Sequence, residues 1–194
     1  SPPNPMGQPP YDSNAGLASA QFIDVTPYTG PEAVTVDKEG RIFTGVKEGL
    51  ILRFDTPTSK PKVVAKIPGG RPLGLAFDAQ GNLYVAHVPK GLLRVTPDGQ
   101  HTTVLDTVDG IPIRYADDLD IASDGTIYLS DATIKFDPTR YGGSFLTSRM
   151  DLMEHGGHGR LIEYRPSTGE AKVVARGIDF ANGIAMTHDQ RGVL

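Results

Sequence analysis

One template, repeated along the chain, decides what this sequence can fold into. The segments GPEAVTVDKEGRIFTGVKEGLILRF from Gly30, GRPLGLAFDAQGNLYVAHVPKGLLRV from Gly70 and RYADDLDIASDGTIYLSDATIKF from Arg114 align on it, and FANGIAMTHDQRGVL from Phe180 starts a fourth copy. Each copy reads as a short apolar strand, a turn containing Asp and Gly, and a second strand, as in Val34 to Val36, Asp37 to Gly40, and Ile42 to Phe43. Two more strands follow in each: Leu50 to Phe54 and Lys62 to Lys66, Leu92 to Val95 and Thr102 to Leu105, Leu161 to Tyr164 and Ala171 to Ala175. Equivalent positions Glu32, Leu73, Asp117 and Asn182 lie 41, 44 and 65 residues apart. Four strands on a spacing of about 40 to 45 residues predict an all-β propeller built of four-stranded blades.

The blades are expected at about 30–68, 70–110 and 114–177, with the next starting at 180, inside a partial propeller spanning 17–194. Residues 1–16 form a Pro-rich tail without a core of its own. Ala20 to Val25 are predicted to be an outer strand that closes the ring on the last blade. Three blades and one strand leave sheet edges open, which predicts a truncated chain whose missing C-terminal half, or a partner copy, completes the propeller. The longest interval holds about 21 extra residues around FDPTRYGGSFLTSRMDLMEHGG. There the Leu146, Met150, Met153 spacing predicts a short helix, either a lid or rim or a plain surface excursion.

Composition narrows the function classes. Gly and Pro fill 39 of 194 positions while hydrophobic residues reach 38 %, a turn-rich globular balance. The net charge of -4 is spread without basic blocks, so no face gathers phosphates and nucleic acid is not an expected partner. No apolar run is long enough for a membrane span; the chain reads as soluble, with its compartment, cytoplasmic or exported, open. With no cysteine there is no disulfide, thiolate metal site or cysteine nucleophile. Nucleotide-binding glycine loops and a GxSxG elbow are also absent.

In a propeller the first strand of each blade lines the central channel, so Glu32, Leu73, Asp117 and Asn182 should converge about the axis. Three of the four carry oxygen donors. Two carboxylates and an amide, without Cys or His, form a hard ligand set that suits Ca²⁺, with magnesium or manganese as alternatives. Three ligands are too few for calcium, so waters and absent blades must supply others.

The stretches GPEAVTVD, YADDLDIASDGTIYLSDAT, HGRLIEYRPSTGEAKVVARG and DFANGIAMT resemble the N-terminal half of strictosidine synthase-like proteins. These group with senescence-marker-type gluconolactonases and paraoxonases among six-bladed, mostly calcium-binding propellers. The resemblance implies six blades and calcium. It matches Glu32 and Asn182 to metal-ligand positions, and Asp117 to a position usually held by Asn. Alkaloid-forming members depend on a glutamate from a later blade, beyond this sequence.

Many strictosidine synthase-like relatives carry an Asp where this chain has Ala86-His87, and paraoxonases resemble it in having a His nearby. His87 is therefore either a general base for ester or lactone attack or a packed strand-end histidine. Asp118 is either a catalytic or supporting carboxylate or a buried Asp bonding turn amides. Asp131 reads as a turn cap, and His155 and His158 as loop histidines. The expected function is a calcium-dependent hydrolase acting on a small-molecule lactone or ester. A non-enzymatic propeller platform and an amine-aldehyde condensing enzyme are the alternatives.

Overall fold

A computed structural model describes residues 13–194, so the expected Pro-rich tail lies outside the described residues through residue 12. The strands are β1 (Val34–Val36), β2 (Ile42–Val46), β3 (Leu50–Phe54), β4 (Lys62–Lys66), β5 (Arg71–Phe77), β6 (Leu83–Val88), β7 (Gly91–Val95), β8 (His101–Leu105), β9 (Thr107–Val108), β10 (Ile111–Pro112), β11 (Ala116–Ile121), β12 (Ile127–Asp131), β13 (Gly159–Arg165) and β14 (Glu170–Ile178), with helix α1 (Ser144–Glu154) between β12 and β13. They form three four-stranded antiparallel sheets in the orders β1-β2-β3-β4, β5-β6-β7-β8 and β11-β12-β13-β14, plus the small hairpin β9-β10. These are three propeller blades, and the sheets do not close into a ring.

Burial follows position in the blade. Every residue of β6 is buried, because an inner strand has a neighbouring blade against each face. The outer strand β14 alternates instead, turning Ala171, Val173 and Ala175 inward and Glu170, Lys172, Val174 and Arg176 outward, so its outward row is mostly charged. Between blades one and two, Phe43, Ile51 and Ile67 pack on Leu75, Val85 and Leu93. Between blades two and three, Tyr84, Ala86 and Leu92 pack on Leu119, Leu129 and Ile162. At about 1.5 to 3 kcal/mol for each large apolar side chain buried, these contacts hold one blade to the next.

The turn between the first two strands confirms the repeat at the level of backbone angles. Gly40, Gly81 and Gly125 have φ of 78°, 82° and 86°, and the fourth copy puts Gln190 in the same left-handed slot at φ 58°. The Gln190 Oε1 accepts a hydrogen bond from the Ser123 amide at 2.9 Å, tying the fourth unit to blade three. That contact offsets part of the 1 to 2 kcal/mol, roughly, that a side chain adds in this conformation. Met186 and Val193 form the first bridge of the next hairpin.

The structure bears on two further expectations. Ala20 to Val25 form no strand among the described residues; Ile23 and Val25 lie instead on the apolar face of Val46, Leu52 and Phe54. A lone segment with no sheet edge beside it has no ladder to join. The helix forms within the insertion, but it buries Thr147 and Asp151, while Leu146 and Met153 are exposed and Met150 is half-buried.

Candidate functional site

The register of β5 slips between Pro72 and Leu75, and that of β11 between Ala116 and Leu119. Leu73 and Gly74 are thus the bulged residues of blade two, and Asp117 and Asp118 those of blade three. A bulge re-aims side chains out of the pleat, which is how two neighbouring carboxylates leave the ladder here. The bulges touch each other. A Cβ placed on Gly74 would lie 2.5 Å from Asp118 Oδ1 and 2.6 Å from its Cα, so only glycine leaves room for the acidic pair. Glu32 enters from blade one, two residues before β1.

The two aspartates are treated differently. Asp118 accepts from its neighbour Leu119 N at 2.9 Å on Oδ1 and from Ile184 N at 3.1 Å on Oδ2. Those contacts match the reading of a buried Asp bonding amides. They also fix the fourth segment, because Ser130 Oγ accepts from Asp118 N at 2.9 Å and donates to the Asn182 carbonyl at 2.7 Å. The backbone of Asn182 is thereby held beside Asp118. Asp117 is 3 % exposed, and its Oδ2 is buried without a hydrogen-bond partner.

Burial, reinforced by the charges of Glu32 and Asp118, raises the Asp117 carboxyl to about 8 against the pull of Arg71. Burial also raises Glu32, with Arg71 opposing and Asp118 adding repulsion, although Glu32 keeps contact with solvent. Asp118 is raised by burial in spite of its two amide donors. Glu32, Asp117 and Asp118 therefore share one electrostatic neighbourhood, with Arg71 as its cation. Among the described residues, no three His, Cys, Asp or Glu side chains are grouped closely enough to hold a metal by themselves. The Asn182 amide is not of those types, and the bare oxygen of Asp117 is what a hard cation would satisfy.

Leu73, the apolar member of the column, packs with Val88, Tyr115 and Ala132 against Phe180. The Tyr115 and Phe180 rings meet edge to face at 5.3 Å. This wall borders the acidic cluster, since the charges of Asp117 and Glu32 both act on Tyr115. Two grooves of about 470 and 480 Å³ open between blades at the opposite, turn-bearing end. Neither is lined by Glu32, Asp117 or Asn182.

His87 does not join the cluster. It is fully buried, on the same face of β6 as Val85, and neither ring nitrogen has a partner. A Cβ on Gly70 would stand 2.5 Å from its Cε1. Desolvation lowers its pKa to about 4, with Lys90 and His101 adding to the shift. A carbonyl at Ile67 opposes that shift without completing a hydrogen bond.

Asp131 is no turn cap. It ends β12 fully buried, accepting from Tyr115 N and from Arg160 Nε, both at 2.9 Å. Arg160 is 1 % exposed and also donates to the carbonyls of Val108, Ile111 and Pro112, which binds the β9-β10 hairpin to blade three. Arg160 lies one residue before the expected strand Leu161 to Tyr164, and the structure extends that strand back to Gly159, which brings the arginine into the blade. His155 ends α1 in a left-handed conformation 3.9 Å from Asp179, and His158 Nε2 lies 3.6 Å from Glu154.

Family models for "Strictosidine synthase-like, N-terminal" and "Strictosidine synthase" match residues 9–54 and 117–194. Protein STRICTOSIDINE SYNTHASE-LIKE 4 of Arabidopsis thaliana is 33 % identical over 96 % of this chain and 50 % of its own length. Adipocyte plasma membrane-associated protein of Salmo salar is 28 % identical over 97 % and 49 %. The chain spans about half the length of these relatives. Among solved structures, a gluconolactonase from Xanthomonas campestris superposes with a TM-score of 0.67 at 19 % identity, covering 89 % of this chain and 55 % of that one. The calcium-binding protein regucalcin from Agrobacterium tumefaciens gives 0.60 at 16 %, covering 87 % and 50 %. Such likenesses show the propeller fold.

Proposed function

Since the chain belongs to the strictosidine synthase-like family, we propose that the whole protein is a divalent-cation-dependent hydrolase of lactones or small esters, with calcium as the cation. The observation that carries this reading is the unpartnered Oδ2 of Asp117, a carboxylate oxygen buried beside two further carboxylates. Burying an ionised carboxylate without a partner is expensive; left alone, Asp117 avoids the penalty by holding its proton up to about pH 8, and a bound cation would remove it by taking the proton's place. The resemblance to calcium-binding propellers supports the same choice of ion.

Glu32, Asp117 and Asn182 would hold the cation, with other oxygens coming from waters and from blades outside this chain. When bound, the ion supplies polarisation of the substrate carbonyl and stabilisation of the negative charge that develops on its oxygen. Asp118 fixes the Asn182 segment through Ser130 and Ile184, and so sets the spacing of the donors. Leu73, Tyr115 and Phe180 give the apolar part of a substrate a dry wall. In hydrolysis, water adds to the carbonyl carbon, the ring or ester C–O bond breaks, and the water proton passes to the departing oxygen. His87, at its sealed position, would serve as base only after the blade interface opens.

The test is thermal unfolding of the intact protein in calcium and in chelator, followed by a panel of lactones and esters. Calcium is expected to raise Tm, and Glu32→Gln or Asp117→Ala, which removes the oxygen donor altogether, to abolish that rise together with hydrolysis. A protein with no cation-dependent shift and no turnover of any lactone would leave the binding-platform reading in its place.

A further inference from the structure

Arg71 opens β5 beside the acidic cluster and is the cation acting on Glu32, Asp117 and Tyr115. Among the described residues it nevertheless makes no ion pair within 4 Å. One donor is used, Nη2 to the Gly30 carbonyl at 2.9 Å, which points the guanidinium across from blade two to blade one. Its Nε is buried and bonds nothing. A buried donor left unmade costs about 1 to 3 kcal/mol and shows that the chain itself does not satisfy this side chain. Nη1 also makes no hydrogen bond among the described residues and is not buried, so the reachable side of the fork is free to take an acceptor. The acceptor whose geometry matches a planar guanidinium is a carboxylate, taken through two parallel hydrogen bonds.

We propose that Arg71 reads an acidic group on the substrate, so that the site takes lactones and esters bearing a carboxylate and holds the hydroxy acid they release. The inference rests on the hydrolase reading and adds a substrate class to it. Three carboxylates would repel such a ligand if they stood alone. With one guanidinium and one bound dication the formal charges cancel, and the incoming anion meets no net repulsion.

The experiment compares the intact wild type with Arg71→Lys and Arg71→Met on two lactones of equal ring size, one neutral and one carrying a carboxylate. Calorimetric titration with gluconate, in calcium and in chelator, gives a readout independent of turnover. Arg71→Met is expected to raise KM for the acidic lactone about tenfold more than for the neutral one and to weaken gluconate by a similar factor. Arg71→Lys, which keeps the charge and loses the fork, should fall between, and it serves as the reporter if Arg71→Met does not fold. Equal losses on both lactones with unchanged gluconate affinity would overturn the inference and leave Arg71 a strut between blades. Gluconate binding that depends on Arg71, without hydrolysis of either lactone, would instead sink the hydrolase reading and spare this one.

Discussion

Blades two and three follow one template and place different chemistry on it. The β5 bulge carries Leu73 and Gly74 where the β11 bulge carries Asp117 and Asp118. At the far end of the second strand, β6 sets His87 opposite Pro72, and β12 sets Asp131 opposite Ala116. Backbone and register agree, so the difference lies in what each buried polar group is given to bond. Asp131 has an arginine and an amide, whereas His87 has nothing. The repeat thus supplies a set of equivalent sockets, and local partners decide whether a socket holds a staple, a neutral plug or a ligand.

The largest contrast is expected at the strand ends. Asp131→Ala leaves Arg160 as a buried charge without its counterion and should destabilise the intact protein by about 3 to 5 kcal/mol, read from denaturant midpoints. The double variant Asp131→Leu with Arg160→Met should lose less than the two single changes added together. If Asp131→Ala unfolds with an unchanged midpoint, the pair is not the staple described here.

His87 should show a different signature, one of pH. Its folded pKa of about 4 lies below the ordinary value of 6.5, so between those values the unfolded chain binds a proton that the folded chain refuses. The stability is therefore full above about 6.5 and declines as the pH falls toward 4, by an amount on the order of 3 kcal/mol. His87→Leu should flatten that part of the stability profile while leaving the region above pH 7 within about 1.5 kcal/mol. A slope unchanged by the substitution would place the acid sensitivity elsewhere.

At the bulges the contrast can be erased from one side. Gly74→Ala places a methyl group against Asp118, and the forced shift should cost about 1 to 3 kcal/mol. It should also shrink the calcium-induced rise in Tm, because the acidic pair is displaced with its backbone. An intact calcium response in Gly74→Ala would show that the blade-three bulge holds its shape without the blade-two notch.

How much of this was legible in the sequence depends on whether a feature is periodic. The four-stranded units and their turn positions follow from the alignment, because turns and strands repeat with the template. Glu32, Asp117 and Asn182 were found as a column, yet nothing in their spacing says that one oxygen of Asp117 stays bare while Asp118 is tied to amides. Arg160 escaped notice because its partners come from Asp131 and from a hairpin about 50 residues earlier, and pairing across such distances leaves no period. Arg71 was overlooked for the same reason, since its acceptor Gly30 belongs to another blade.

Blade three also departs from blade two through its inserted helix, and there the expected effects are smallest. The helix is turned inside out: Phe145 and Met153 are 72 % and 82 % exposed, while Thr147 and Asp151 are buried with their side-chain oxygens unpartnered. A solvent-facing methionine contributes little to folding, so Met153→Lys should stay within about 0.5 kcal/mol of the parent. Asp151→Leu replaces an unsatisfied polar group by an apolar one of similar size, and the exchange should be neutral or stabilising by up to about 1 kcal/mol. Both follow from one placement of the helix, with Asp151 buried and Met153 toward solvent. If Asp151→Leu instead destabilises by several kcal/mol, Asp151 binds a group outside this chain, and the insertion belongs with the sockets that hold ligands.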